Sequence, residues 1–143
     1  MTPEGIREAV KWFIAFIGSG ICWFLGKTDG LFYALIALIT ADYVSGVACA
    51  IAEKKVSSEV GFRGIAKKIL IIIIVGIANV LDTYVLKSAD VLRIVVCFYY
   101  IANEGLSIVE NAVRLGLPVP RKLKDVLIQL KNKGDEEQND SDT

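Results

Sequence analysis

Eight polar side chains lie within otherwise apolar stretches of this chain, and they are the groups whose chemistry could matter for function. Carboxylates and amides in such positions can hydrogen-bond between helices or line a water-filled path. The chain has no His, so it lacks the commonest zinc ligand and the usual near-neutral acid–base group. With no metal-ligand cluster and no serine-based motif, we expect a protein that is not an enzyme and that binds no cofactor. The eight residues are Asp42, Asn79, Asp82, Arg93, Asn103, Glu104, Glu110 and Asn111.

The segments that carry these residues are long, apolar and closely spaced. Hydrophobic residues make up 54% of the 143 residues and charged residues 22%, and the mean hydropathy is +0.52. A helix that spans a bilayer needs about 20 mostly apolar residues, and it satisfies its own backbone hydrogen bonds. We therefore predict an all-α, polytopic membrane protein in contact with a lipid bilayer. Its four transmembrane helices are predicted at about 9–26, 31–52, 65–86 and 91–113.

The balance of charge and the cysteines exclude some functions. The formal net charge is zero, from 16 basic and 16 acidic residues, so it does not indicate nucleic-acid binding. Cys22, Cys49 and Cys97 all lie in apolar stretches and form no CxxC pair. We interpret them as small, reduced packing residues.

The N-terminus allows two interpretations. Arg7 and Lys11, followed by apolar residues 12–17, could be the basic region and the apolar core of a signal peptide. No A-x-A cleavage site follows, and Ile21 before Cys22 does not suit a lipoprotein site. We therefore favour an uncleaved first span.

Residues near position 116 are predicted to end the membrane domain. Gly116 suits the left-handed position past a helix end, and the prolines at 118 and 120 prevent direct continuation of the helix. We divide the chain into a transmembrane domain at 1–116, an amphipathic helix at 117–133 and a disordered acidic tail at 134–143.

The segment at 117–133 has the pattern of a basic amphipathic helix. Its apolar face is predicted from residues at i, i+3, i+4 and i+7, which are Leu123, Val126, Leu127 and Leu130. Lysines and arginines occupy most of the remaining surface. Such a helix could bind an anionic membrane surface or, equally, pack on a partner subunit.

Basic residues are distributed unevenly on the two sides of the predicted spans. Of the 16 lysines and arginines, 13 lie on one side, within residues 1–11, 53–68 and 114–143. The other side holds Lys27 and Lys87, with Arg93 just inside the fourth span. The positive-inside rule therefore predicts that the N- and C-termini are both cytoplasmic.

The depth of the polar residues predicts some of their partners. The antiparallel order of spans three and four brings Asp82 and Arg93 to similar depth on either side of a tight turn, so we predict that they pair. Asp42 has no basic residue at its predicted depth. It could be protonated, hydrogen-bonded to Asn79 or Asn103, or in contact with water.

Small residues on two spans predict close helix contacts, since small-xxx-small faces let helix backbones approach each other. The pattern supports self-association only weakly, because it is common. The residues concerned are Gly18, Cys22 and Gly26 on span one, and Ala41, Ser45 and Gly46 on span two.

Four short strings, taken together, are more specific than any of these patterns. They are DYVSG from residue 42, GFRGIAKK from residue 61, NEGLSIVEN from residue 103 and GLPVPRKL from residue 116. In this order and spacing the chain closely resembles the phage-lysis/toxin-secretion holin family, from span one to the amphipathic helix. The second string falls in the predicted cytoplasmic loop, where its motif residues are Gly61, Phe62, Gly64, Lys67 and Lys68. The other motif residues are Asp42, Gly46, Asn103, Glu104, Gly105, Glu110 and Asn111.

The resemblance implies a function that composition does not. Holins of this family form homo-oligomers in the bacterial cytoplasmic membrane and open lesions there. A cytoplasmic endolysin, or in some relatives a toxin, then crosses the membrane without binding the holin tightly. The family is not enzymatic.

Two other functions fit the same apolar segments and intramembrane carboxylates. A small ion-conducting channel or transport subunit would pass ions and retain macromolecules. A membrane scaffold would recruit a soluble partner and would tolerate neutral substitutions at Asp42 and Glu104. The chain has no inverted repeat and no filter-like loop, which argues against a channel or transporter.

Overall fold

The computed structural model describes residues 2–140, with side chains described for residues 2–133. That part of the chain is helical and contains no strand. Four of its helices are long and apolar enough to span a membrane, which confirms the predicted number of spans. The helices are α1 (Pro3–Leu25), α2 (Gly30–Ala52), α3 (Ser58–Val80), α4 (Val91–Arg114) and α5 (Arg121–Asp140), and a π-helical segment (Leu81–Leu86) extends α3.

Side chains just before the helices define where three of them begin. The hydroxyl of Thr2 accepts the Gly5 N–H, the carboxylate of Asp29 accepts the Phe32 N–H, and the hydroxyl of Ser57 accepts the Val60 N–H. Each contact satisfies a backbone donor that has no partner within its own helix. The caps at Thr2 and Ser57 extend α1 and α3 beyond the purely apolar stretches.

The extension of α3 corrects one prediction. The sequence predicted that span three begins at residue 65 and that the GFRGIAKK string lies in a loop. In the structure α3 begins at Ser58, so the whole string is helical and the connection after α2 is short. The Ser57 cap outweighs the polar composition of the segment that follows it. Gly61 and Gly64 then lie on the face of α3 that meets the Tyr43 ring of α2.

Helices α2, α3 and α4 enclose the apolar core. Helices α2 and α4 run parallel, because contacts join both their first and their last turns. Helix α3 runs antiparallel to both. The core residues are Leu35, Ile39, Ile71, Val75, Ala78, Val96, Cys97 and Ile101.

The bundle has two distinct ends. We call the end formed by residues 26–29 and 87–90 the turn end, because two tight connections meet there. We call the opposite end, formed by residues 53–57 and 115–120, the loop end. Gly26, Lys87 and Asp90 adopt positive φ angles in the two tight connections.

Helix α1 contacts the rest of the molecule only near its C-terminus. The Phe24 ring packs against Gly76 of α3, where a Cβ atom would approach Phe24 Cε1 to 1.9 Å. Leu25 is the one buried residue of α1 among those described, and Trp12 and Phe16 are 74% and 78% exposed. In a bilayer these exposed rings would contact lipid.

Helix α5 packs along α4 of its own chain. Leu127 is buried, and its Cδ2 atom lies 2.7 Å from where a Cβ atom on Gly105 would be. The sequence predicted that this helix binds a membrane surface or packs on a partner subunit, and neither prediction includes a contact with α4 of the same chain. The helix continues to Asp140, so the structure does not confirm a disordered tail at 134–140, and residues 141–143 lie outside the described part.

Candidate functional site

Three charged side chains from three helices meet inside the bundle. Lys68 Nζ of α3 donates to Asp42 Oδ2 of α2 and to Glu104 Oε2 of α4. Asp42 and Glu104 are only 8% and 5% exposed. We call these three residues the charged cluster. The contact with Lys68 corrects the prediction that no basic residue lies at the depth of Asp42, which left Asp42 protonated, hydrogen-bonded to Asn79 or Asn103, or in contact with water.

One atom of the charged cluster remains unsatisfied. Asp42 Oδ1 is buried and has no hydrogen-bond partner among the described residues. A buried polar atom without a partner is costly in a medium of low dielectric constant. Two carboxylates therefore share one ammonium group, and one carboxylate oxygen has no contact that satisfies it.

A cleft of 710 Å³ leads from the charged cluster to the loop end. Its walls come from α2, the first half of α3 and the second half of α4, and Lys131 of α5 also lines it. The cleft brings together motif residues from three of the four strings, which are far apart in the chain. These lining residues are Asp42, Gly46, Gly61, Gly64, Lys67, Lys68, Asn103, Glu104, Glu110 and Asn111.

Asn111 joins α4 to α2 beside the cleft. Its Nδ2 atom donates to Ser45 Oγ at 2.9 Å, and its carbonyl accepts a contact from Cys49 Sγ at 3.3 Å. A Cβ atom on Gly46 would lie 3.9 Å from the same Nδ2 atom. The structure therefore places the predicted close-packing residues Ser45 and Gly46 at a helix contact.

The other predicted close-packing residues behave differently. A Cβ atom on Gly18 would meet nothing within 4 Å, and Cys22 and Ala41 are exposed. Gly26 ends α1 at a φ of 78°, and the Asn79 amide fills the space where its Cβ would be. Of the three small residues predicted on span one, Gly26 therefore packs against α3, whereas Gly18 and Cys22 do not pack on another helix among the described residues.

Asn79 and Asp82 serve as caps rather than as cleft residues. Asn79 Nδ2 donates to the Trp23 and Phe24 carbonyls at the end of α1. The Asp82 carboxylate accepts the N–H groups of Leu92 and Arg93 and so caps the start of α4. Both side chains therefore satisfy backbone groups that the helix termini leave unpaired.

The predicted pair of Asp82 and Arg93 side chains is wrong. The Arg93 guanidinium is fully buried and turns instead toward the connection between α1 and α2. It donates to Asp29 Oδ2 at 3.1 Å, to the Leu25 carbonyl at 3.2 Å and to the Lys27 carbonyl. Asp82 is already saturated by backbone donors and by Ser88 Oγ, so it does not hold the guanidinium.

Ion pairs also hold the two ends of the bundle. At the turn end, the hydrogen bond from Arg93 and the Phe32 N–H lower the pKa of Asp29 below its usual value. At the loop end, Arg114 donates to both Glu53 oxygens at 2.7 and 2.8 Å, and this lowers the pKa of Glu53. These contacts connect α2 and α4 at both ends of the bundle.

Sequence reasoning missed four contributors to these sites. It assigned no partner to Lys68 because the predicted start of span three put this residue at the membrane surface. It gave no role to Asp29, Tyr43 or Gly76, although the N-cap preference of aspartate was a signal for Asp29. Phe62, by contrast, is 75% exposed and takes no part in the cleft.

Helices α2, α3 and α4 enclose the charged cluster and the cleft, and with α1 they make four helices that are long and apolar enough to span a membrane, as in a polytopic membrane protein. The described residues contain no group of three or more His, Cys, Asp or Glu side chains that could hold a metal ion. The family model of the bacteriophage holin family matches residues 19–132. The chain therefore belongs to the bacteriophage holin family.

Individual relatives are similar over most of their length. An uncharacterized 14.9 kDa protein of Clostridium perfringens is 38% identical over 130 residues, 91% of this chain and 98% of the relative. An uncharacterized protein of Listeria monocytogenes is 40% identical over 135 residues, 93% of this chain and 96% of the relative. A protein of Bacillus phage phi105 named a probable holin is 32% identical over 102 residues, 71% of this chain and 75% of the relative. No solved structure matches the chain significantly.

Proposed function

We propose that this chain is a holin that self-associates in the bacterial cytoplasmic membrane and opens lesions there. The lesions would let a cytoplasmic endolysin, or in another setting a toxin, reach the cell wall without tight binding to the holin. Membership of the bacteriophage holin family supports this function. The observation that carries the proposal is the charged cluster. Burying two carboxylates among apolar helices costs free energy, and an assembled state in which these groups contact water would give them a function.

The charged cluster gives the proposal a physical mechanism. In the closed bundle, Asp42 and Glu104 share Lys68 away from water. When subunits accumulate and their helices separate, the same groups become hydrated on the wall of a water-filled space. Hydration of Asp42, Lys68 and Glu104 then offsets the loss of their ion pairs within one chain. In a lipid-facing arrangement the same groups would have no water to contact.

The exposed surface of the bundle is compatible with self-association. Most of α1 contacts no other part of its chain, and Gly18 and Cys22 leave one of its faces without bulky side chains. Small residues of this kind let membrane helices approach closely. A second copy of the chain is therefore a plausible neighbour for α1 in the assembled state.

The decisive experiment expresses the chain in bacteria with and without a cytoplasmic endolysin that lacks a signal sequence. Membrane potential and culture density are followed together. Sudden depolarisation, with rapid clearing only when the endolysin is present, is expected for a holin. Depolarisation without release of the enzyme would instead indicate a small ion channel, and no change at any expression level would indicate a scaffold.

Substitutions in the charged cluster should move the time of lysis in opposite directions. Asp42→Asn leaves one carboxylate for one ammonium group, stabilises the closed bundle and should delay lysis. Lys68→Gln leaves two buried carboxylates without a cation and should advance it, because each intramembrane charge costs about 2.5–3.5 kcal/mol. Lys54→Gln is the matched control, since Lys54 is exposed and does not line the cleft. Equal lysis times for all the variants would contradict the mechanism.

A further inference from the structure

The charged cluster does not balance its own charge. Two carboxylates contact one ammonium group, so the three side chains together carry one excess negative charge. The neighbouring elements offer no ion pair to either carboxylate other than Lys68 among the described residues. Titratable and charged groups near the cluster or along the cleft are Tyr43, Glu53 and Lys55 of the α2 side, Lys67 of α3, Tyr100, Glu110 and Arg114 of α4, and Lys131 of α5.

The cations in that set are not positioned to neutralise the cluster. Arg114 and Lys55 both contact Glu53 at the loop end. Lys67 is exposed. Lys131 lines the cleft but makes no ion pair with Asp42 or Glu104. The excess negative charge therefore remains at the inner end of the cleft, on two carboxylates that are nearly buried.

The unsatisfied atom marks where a compensating charge would sit. Asp42 lines the inner end of the cleft, and its Oδ1 atom is buried and has no hydrogen-bond partner among the described residues. The Asp42 and Glu104 carboxylates lie side by side, because both contact the same nitrogen atom. Two carboxylates so close together, away from water, favour binding of a cation between them.

We infer that the charged cluster is a binding site for one monovalent cation, either a proton or an alkali metal ion, at the Asp42 and Glu104 carboxylates. A proton would come from bulk water through the cleft and form an O–H bond to a carboxylate oxygen. An alkali metal ion would instead bind to the two ionised carboxylates in place of the proton. Either ligand makes the cluster neutral and satisfies Asp42 Oδ1. The inference concerns the closed chain and does not require that the chain forms lesions.

Infrared spectroscopy of the full-length protein in lipid vesicles tests the proton. At neutral pH, exposed carboxyl groups are ionised, so they do not contribute a carboxylic-acid C=O band. We expect such a band in the unaltered protein and its loss in both Asp42→Asn and Glu104→Gln, since the two side chains share one proton. Glu110→Gln is the matched control, because Glu110 lines the same cleft but is exposed, and it should leave the band unchanged.

Thermal unfolding at constant ionic strength tests the alkali ion. If the band is absent, the unfolding temperature should rise when sodium or potassium chloride replaces choline chloride, and Asp42→Asn should abolish the rise. The inference is overturned if there is neither a band nor an effect of the alkali ion. It is also overturned if the band survives in both cluster variants. If one cluster variant does not fold, survival or loss of the band in the other cluster variant decides whether the band belongs to the cluster.

Discussion

Arg93 connects α4 to the α1–α2 connection through several acceptors at once. Its planar guanidinium donates to the Asp29 carboxylate and to the carbonyls of Leu25 and Lys27. No other described side chain donates to these three acceptors. Arginine suits this role because its donors lie in a rigid fork, whereas lysine presents a single point charge. The site is therefore sensitive to the kind of positive charge as well as to its sign.

We predict that Arg93→Lys lowers the free energy of unfolding nearly as much as Arg93→Met. The expected loss is about 1.5–3 kcal/mol, the contribution of hydrogen bonds to charged groups. Thermal unfolding followed by circular dichroism in detergent measures it. Lys27→Gln is the control, because the ammonium of Lys27 is 71% exposed and should contribute about 1 kcal/mol or less. Full rescue by lysine would contradict the requirement for a fork of donors.

Asp29 makes the turn end sensitive to acid. Its pKa is lowered in the folded protein, so its contribution to stability is complete above the unfolded pKa of about 3.9 and is lost as the pH falls through the folded pKa. Asp29→Asn keeps a good N-cap for α2 but removes the charge that Arg93 contacts. The substitution therefore separates the ion pair from the cap.

We expect the unaltered protein to be more stable than Asp29→Asn near neutral pH. The difference in unfolding temperature should begin to shrink as the pH falls below the unfolded pKa of about 3.9, and it should be lost as the pH falls through the lowered pKa of the folded state. Thermal unfolding at a series of pH values measures this difference. A difference that stays constant down to about pH 3 would contradict the assigned role of the Asp29 charge.

At the scale of elements, the contact between α4 and α5 depends on one glycine. Leu127 of α5 occupies the space beside Gly105, so α5 can lie along α4. A single added methyl group would meet the flexible end of Leu127, which can move. A large side chain would not fit without moving the helix, and such overpacking typically costs about 1–3 kcal/mol.

We predict that Gly105→Phe displaces α5 and that Gly105→Ala has a much smaller effect. The rate of trypsin cleavage after the lysines of α5 should rise several-fold in Gly105→Phe. Gly20→Phe is the matched control, because a Cβ atom on Gly20 meets nothing within 4 Å. An unchanged cleavage rate in Gly105→Phe would mean that α5 does not depend on this contact.

At the scale of the whole molecule, the two ends of the bundle differ in charge. The loop end and the termini hold most of the lysines and arginines, and the turn end holds few. From the positive-inside rule we predict that the loop end and both termini lie in the cytoplasm. This orientation would let the cleft open toward the cytoplasm, where the proposed cargo accumulates.

A reporter fused to the C-terminus tests the orientation. A reporter enzyme that is active only in the cytoplasm is expected to be active, and one that is active only outside is expected to be inactive. The same reporters placed in the connection at 87–90 should give the opposite result. A C-terminal reporter that reads outside would contradict the four-span topology.

Much of the secondary structure follows from local features of the sequence. Four apolar stretches of sufficient length predict four spanning helices, and Gly116 with the two prolines after it ends the membrane domain. These features act over neighbouring residues, so their effect does not depend on the rest of the fold. The start of α3 was predicted seven residues too late, because the Ser57 cap was not weighed against the polar residues that follow it.

The partners of the charged side chains were decided by the tertiary structure. A shift of about two turns in the assumed depth of Lys68 hid its contact with Asp42 and Glu104, since seven residues rise about 10 Å along a helix. Arg93 was predicted to pair with Asp82 from depth alone, yet its long side chain reaches Asp29 on another connection. Sequence spacing gives the position of a residue along its own helix. Which neighbour a side chain meets depends on how the helices are rotated and packed, and on which acceptors backbone donors have already occupied.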